Sequence, residues 1–262
     1  MTSTRHPAVA GAFYPADAEQ LYRCVQDYLQ AAGLSAGPLP KAIIVPHAGY
    51  IYSGPVAATV YKALESGRDS LQRVILMGPS HRVGFRGIAL CHATGYASPL
   101  GTIPVEQSAY SRLNGLNYVG FLDEAHTHEH SLEVQLPFLQ AVLGSFSLIP
   151  LVAGEATAEQ VSEVLERLWQ DDATLLVISS DLSHYHDYAT AQHMDQATSQ
   201  AIENLQAESI ANEAACGRVA VRGLLNLAKR KGWVAQTLDL RNSGDTAGGK
   251  DRVVGYGAYV FH

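Results

Sequence analysis

A chain of 262 residues can bury a substantial core, and 47% hydrophobic with 16% charged residues is the balance of an ordinary globular protein, not of a disordered or coiled-coil chain. The formal charge of −7, with no run of Lys or Arg, offers no electrostatic footprint for nucleic acid or an anionic membrane, so neither is expected as a partner. Residues 1–15 lack an apolar signal-peptide core, and no later stretch stays apolar for the roughly 20 residues that a membrane span needs, so a cytoplasmic location is expected.

In chain order, residues 17–30 carry Leu21, Val25 and Leu29 at helical spacing behind a capping Asp17, and the Gly/Pro-rich residues 33–40 end that helix. KAIIVPHAGYIYSG and RVILMGPSH are short apolar runs rich in β-branched residues, as in strands buried on both faces, and the helical PVAATVYKALES between them completes a βαβ unit. Residues 83–105 read as short strands and turns, SLEVQLPFLQAVL as a helix despite Pro137, and SFSLIPLVAG as a strand. The helix TAEQVSEVLERLWQ precedes the strand TLLVISSDLSHY, and helices over 187–204 and 218–231 precede a closing strand VVGYGAYVF. No internal repeat or long linker divides the chain. Residues 1–262 are therefore expected to form one three-layer α/β/α domain around a mostly parallel sheet, because each parallel connection must cross over, usually through a helix.

Three of these strands run straight into a histidine: AIIV into Pro46-His47, VILMG into Pro79-Ser80-His81, and LLVISS into Asp181-Leu182-Ser183-His184. If the strands are parallel, the three imidazoles emerge at the carboxyl edge of the sheet, where open α/β folds place their ligands. A single such histidine is more often structural; three at equivalent strand ends favour a metal or acid-base site. Two histidines with one carboxylate would form a facial triad suited to iron(II), whereas His and Cys donors favour copper or zinc. Asp181, Glu133 and Asp245 are the candidate carboxylates, and linear spacing selects none of them. A second cluster, residues 124–133, holds His126, His128 and His130, which share one side if that stretch is extended; His130 stands closest to the apolar run that begins at Leu132.

Other chemistries find little support. There is no GxSxG elbow, no supported Ser-x-x-Lys and no P-loop, and the three cysteines, Cys24, Cys91 and Cys216, form no CxxC pair. Cys91 and Cys216 read as small buried or turn residues, and His92, His186 and His193 as structural.

The ordered motifs Ala10-Gly11-x-Phe13-Tyr14-Pro15, Pro46-His47-Ala48-Gly49-Tyr50-x-Tyr52-Ser53-Gly54, Gly78-Pro79-Ser80-His81, Glu129-His130-Ser131-x-Glu133-x-Gln135-Leu136-Pro137-Phe138, Ser179-Ser180-Asp181-Leu182-Ser183-His184-Tyr185, Cys216-Gly217-Arg218 and Ser243-Gly244-Asp245 span nearly the whole chain. In this order they resemble the Memo-like family, whose prokaryotic members are named as component B of the AmmeMemoRadiSam system. The resemblance implies a fold similar to the catalytic subunit of class III extradiol dioxygenases, and a redox-active metal, iron or copper, in some members. It implies metal-binding roles for His47 and His81, pocket roles for Asp181 and His184, and a second-sphere role for His130. Animal members place a metal-binding cysteine in the segment before the last strand; RNSGDTAGGKD has none, and Asp245 is its nearest replacement. A carboxylate there would shift preference away from copper(I) and toward iron(II), with copper or zinc as alternatives.

Two functions are carried forward. One is a metal-binding protein, non-catalytic or partly catalytic, acting with other AmmeMemoRadiSam proteins. The other is an iron(II)-dependent oxidoreductase acting on a phenolic or other chelating small molecule, with His184 or His130 as acid-base groups. Tyr50, Tyr52 and Tyr185 could line the same mouth.

Overall fold

This computed structural model describes residues 3–33 and 37–262. The chain runs through β1 (Thr4–Arg5), α1 (Ala18–Ala31), β2 (Ala42–Val45), α2 (Tyr50–Lys62), β3 (Arg73–Pro79), β4 (Ile88–Leu90), β5 (Gly95–Ser98), β6 (Gly101–Pro104) and β7 (Val119–Phe121). It continues with α3 (Glu124–Thr127), α4 (Leu136–Val142), β8 (Ser147–Ala153), α5 (Ala158–Leu168), β9 (Thr174–Ser179), β10 (His184–His186), α6 (Tyr188–Glu203), α7 (Arg218–Lys231), β11 (Ala235–Asn242) and β12 (Val253–Phe261).

Successive strand residues point to opposite faces, so a strand buried on both sides must feed two cores. Ile43 and Val45, Val74 and Leu76, and Leu175 and Val177 enter one core, which α1, α2 and α4 close. Ala42 and Ile44, Ile75 and Met77, and Leu176 and Ile178 enter the other, closed by α5 and α7. That alternation makes a three-layer α/β arrangement.

The large sheet has the order β10-β12-β2-β9-β3-β8-β4-β7, with β11 also on β12, and β1-β5-β6 form a separate small sheet. Contrary to the expectation of a mostly parallel sheet, the pairing is mixed. The centre, β2-β9-β3-β8, is parallel throughout, but β12 joins β2 antiparallel, β10 and β11 join β12 antiparallel, and β4 joins β8 antiparallel. β11 returns directly into β12 as an antiparallel pair, which needs no crossover helix. Its sequence, AQTLDLRN, is half-exposed along most of its length and lacks the apolar run that marks the central strands.

Several elements fall where their pattern predicts. α5 begins behind a Thr157–Gln160 capping box, α7 spans the predicted 218–231, and Pro137 is tolerated because it sits in the first turn of α4. α1 stops at Ala31; residues 34–36 of its predicted Gly/Pro-rich terminator lie outside the described residues. α2 starts at Tyr50, ahead of the predicted start at Pro55, which is carried inside the helix. This early start leaves only Ala48 and Gly49 between His47 and the helix, so the histidine is held on a short, doubly anchored loop.

Candidate metal centre

Because β2, β9 and β3 are parallel neighbours, their carboxyl ends lie on one edge, and the residues just beyond them converge there. The rings of His47 and His81 have centroids 5.2 Å apart, and His130, from the loop before α4, lies 5.4 Å from His47 and 4.5 Å from His81. His184 reaches the same region from β10, close enough that its charge acts on His47 and that of His81 acts on it.

The orientation of His47 follows from hydrogen-bond accounting. Pro46 O can only accept, so it fixes Gln135 with its Nε2 amide facing Pro46 O (2.9 Å) and Ser179 Oγ (2.8 Å), while Gln135 Oε1 accepts from Tyr61 Oη. Ser179 spends its single hydroxyl proton on Ser131 O at 2.6 Å. The remaining partner of Ser179 Oγ, His47 Nδ1 at 2.8 Å, must therefore be the donor. His47 is held as the Nδ1–H tautomer, with the lone pair of Nε2 free for the centre. Burial, reinforced by the neighbouring imidazoles, pushes its pKa well below the ordinary histidine value, so the ring is neutral at physiological pH.

His81 is oriented in the same sense by Glu129, which accepts from the backbone N–H of His81 at 2.6 Å and from its Nδ1 at 2.8 Å. Burial alone would raise the Glu129 pKa, but these bonds from His81 and one from Ser131 hold it down to about 2. An ionised carboxylate can only accept, so His81 donates from Nδ1, and its Nε2 faces away from Glu129.

The third donor is a thiol. Cys216 precedes α7, and its Sγ lies 3.2 Å from His47 Nε2. The helix reaches this far into the sheet edge because residue 217 is glycine: a Cβ there would stand 2.7 Å from Ser180 Cβ and 2.9 Å from Ser179 O. Burial, with the Asp181 carboxylate beside it, pushes the Cys216 pKa up to about 12, so the thiol is protonated and its S–H points at the free lone pair of His47. His47, His81 and Cys216 each offer one donor atom, all within 4.8 Å of one another. His81, Glu129 and His130 also meet that spacing, but the Glu129 oxygens are already occupied by N–H donors, which makes them a supporting cluster for His81. The first set fits a metal: two imidazoles with fixed tautomers and a soft sulfur, each second nitrogen hydrogen-bonded.

Asp181 is buried behind this set, accepts the backbone N–H of His47 at 2.7 Å, and is pushed by burial up to about 7. His130 is lowered to about 4 by burial. Asp245, the expected replacement for the missing cysteine, stands apart from the centre: its oxygens accept from Tyr188 Oη and from the Asn242 backbone N–H, capping the turn after β11. Glu133 is fully buried and clamps the N-terminal segment through Arg5, Ala8, Val9 and Tyr14. The stretch 124–133 is not extended. α3 separates its histidines, so that His126 is buried between Tyr96 Oη and Ala89 O, His128 is exposed, and His130 alone reaches the centre. Tyr50 is a core residue whose hydroxyl donates to Val134 O.

Cys216 and Glu129 are candidate-site residues to which the sequence reading gave no site role. The Cys216-Gly217-Arg218 motif was visible, but nothing in linear spacing ties it to a histidine 169 positions away. For Ser179, replacement by Ala removes the acceptor that fixes His47. A drop of roughly 10- to 100-fold in metal affinity is expected, read by competition against a chromophoric chelator, with an unchanged far-UV spectrum.

Fold and site together define an α/β protein with a two-histidine, one-thiol donor set at the carboxyl edge of its sheet, His47 buried, Cys216 half-buried and His81 exposed. A family profile described as "Memo-like protein" matches residues 5–260. The chain is 36% identical to a MEMO1 family protein of Aquifex aeolicus over 271 residues, covering 98% of each chain. It is 35% identical to one of Aeropyrum pernix over 278 residues, covering 97% of this chain and 98% of the relative. The chain belongs to the Memo-like family.

Proposed function

We propose that this Memo-like protein binds a transition metal through His47, His81 and Cys216 and works as a metal-binding, non-catalytic or partly catalytic component of the AmmeMemoRadiSam system. The observation that carries the reading is the convergence of three donor atoms, with His47 locked in the tautomer that frees Nε2. Residues 1–262 act as one domain in this reading, in the cytoplasm; no helix among the described residues is long and apolar enough to cross a membrane.

Iron(II) was the expected ion on the basis of a carboxylate ligand. A thiol in that position moves the preference toward copper or zinc, with iron(II) as the alternative that the extradiol-dioxygenase resemblance favours. A metal held there would supply Lewis acidity toward a chelating small molecule. Around it, Glu129 and Ser179 orient the two imidazoles, while His130, His184 and Asp181 are positioned to take or give a proton. Those three groups favour a second reading, an oxidoreductase acting on a phenolic ligand, which requires turnover of catechols under oxygen.

The test is anaerobic purification followed by elemental analysis. Wild type is expected to carry close to one metal per chain, and His47→Ala, His81→Ala and Cys216→Ala to lose it with the fold retained. Wild-type metal content in the three variants would sink the assignment.

A further inference from the structure

Asp195 is a buried carboxylate without a counter-charge. It lies on α6, is 3% exposed, and has no cation within ion-pair distance among the described residues. A charged side chain buried to that degree is ordinarily paired, because its lost hydration is otherwise uncompensated. Only one oxygen is used: Oδ1 accepts from the Ser183 backbone N–H at 3.0 Å. Oδ2 has no hydrogen-bond partner and is not sealed from solvent, and the buried Ser183 hydroxyl beside the carboxylate lies out of hydrogen-bond geometry. The seat is made by Gly255 of β12, where any Cβ would collide with Oδ2.

Asp195 opens on a cavity of about 260 Å³ between α6 and the end of β11, lined also by Gln192, Gln196, Asn242 and Asp245, none of them a donor of the metal centre. That volume lies below the roughly 300–1,000 Å³ of pockets for drug-sized ligands, so the cavity suits a smaller molecule. The cations around it are already engaged. Arg241, in its wall, spends its charge on Asp239 through Nε at 3.0 Å and a second bond from Nη2, and Lys250 lies 4.4 Å over the Tyr188 ring. Asn242 is buried, and its Oδ1 accepts from the Gly244 N–H at 2.9 Å, which fixes the amide with Nδ2 left as a donor. At the rim, Asp245 adds a second carboxylate, held by Tyr188 Oη and the Asn242 backbone N–H.

We propose that this cavity binds a small aliphatic amine, whose ammonium donates to Asp195 Oδ2 while a hydrogen-bond acceptor on the same molecule takes the Asn242 amide. An ammonium supplies the missing counter-charge, and the free amide donor selects a hydroxyl or carbonyl oxygen beside it. The site is separate from the donor set, so its test stands or falls independently of metal binding.

The test is titration calorimetry on the full chain at neutral pH with 3-amino-1-propanol, against the uncharged 1,3-propanediol. Wild type is expected to bind the amine at least about 10-fold more tightly than the diol. Asp195→Asn keeps an oxygen for the Ser183 N–H but removes the charge, and should weaken amine binding by roughly 10- to 100-fold, the loss of a charged hydrogen bond, with the melting temperature of the free protein not lowered. Gln192→Lys, one turn earlier on the same helix face, tethers an ammonium at the cavity and should exclude the free amine with Asp195 intact. Equal binding of amine and diol by wild type overturns the proposal. Wild-type amine affinity in Asp195→Asn also overturns it, since the amine would then be held elsewhere, the metal centre included. Should Asp195→Asn fail to fold, unchanged amine affinity in Gln192→Lys overturns it.

Discussion

Glu133→Ala is expected to destabilise the protein by about 3–5 kcal/mol, a fall of roughly 6–20 °C in melting temperature. The carboxylate is fully buried and pairs with Arg5, which is itself 7% exposed. It also accepts from the backbone N–H groups of Ala8 at 2.7 Å and Val9 at 2.9 Å, and from Tyr14 Oη. Removing it takes the acceptor from two backbone donors and the buried Tyr14 hydroxyl, and leaves the largely buried Arg5 guanidinium with only the His126 and Glu129 carbonyls and no counter-charge. Glu133→Gln is not expected to rescue, since each carboxylate oxygen serves at least two donors and an amide would turn N–H against one pair. The exposed pair Arg23–Glu19 is the control, and Glu19→Ala should change stability by under about 1 kcal/mol. Because the clamp also holds Phe13, whose ring packs 4.9 Å from that of His130, Glu133→Ala should loosen the centre too. Chemical denaturation of the three variants checks the ranking, and a Glu133→Ala loss no larger than that of Glu19→Ala would contradict it.

Apparent metal affinity is expected to rise about tenfold per pH unit, hence roughly 100-fold from about pH 6 to about pH 8. The sign follows from the proton inventory. A thiol whose pKa is pushed up to about 12 is protonated throughout that range, and a metal must displace its proton to bind sulfur. Each downward unit of pH therefore makes that exchange tenfold less favourable. His47 adds no proton to the count, because its pKa lies well below the ordinary value and Nε2 is already free. Competition titrations at several pH values give the slope, and proton release into weak buffer gives the stoichiometry, expected to be about one. A flat profile would exclude Cys216 as a ligand. Binding that survives in Cys216→Ala with the same slope would also exclude it.

How much of this was legible in the chain depends on the range over which each feature is encoded. The apolar runs before His47 and His81 fix buried strands through local pattern, and β12 and α7 have the bounds that their residues predict. β11 was not legible: half-exposed at most positions, it becomes a strand through its pairing with β12. The mixed pairing was hidden for the same reason, since strand direction at the margins depends on partners that the pattern does not name.

The site divides in the same way. From the sequence alone came the family, the layered α/β class and the placement of His47 and His81 at strand ends, because a continuous apolar, β-branched run and a histidine after each strand are local properties of the chain. Only the tertiary structure decided that Cys216, not Asp245, stands with them, that Glu133 clamps the N-terminal segment, and that of the histidines in 124–133 only His130 turns inward. Those outcomes rest on contacts between residues 48 to 169 positions apart, set by how helices and loops pack against the sheet, and no spacing along the chain carries that information.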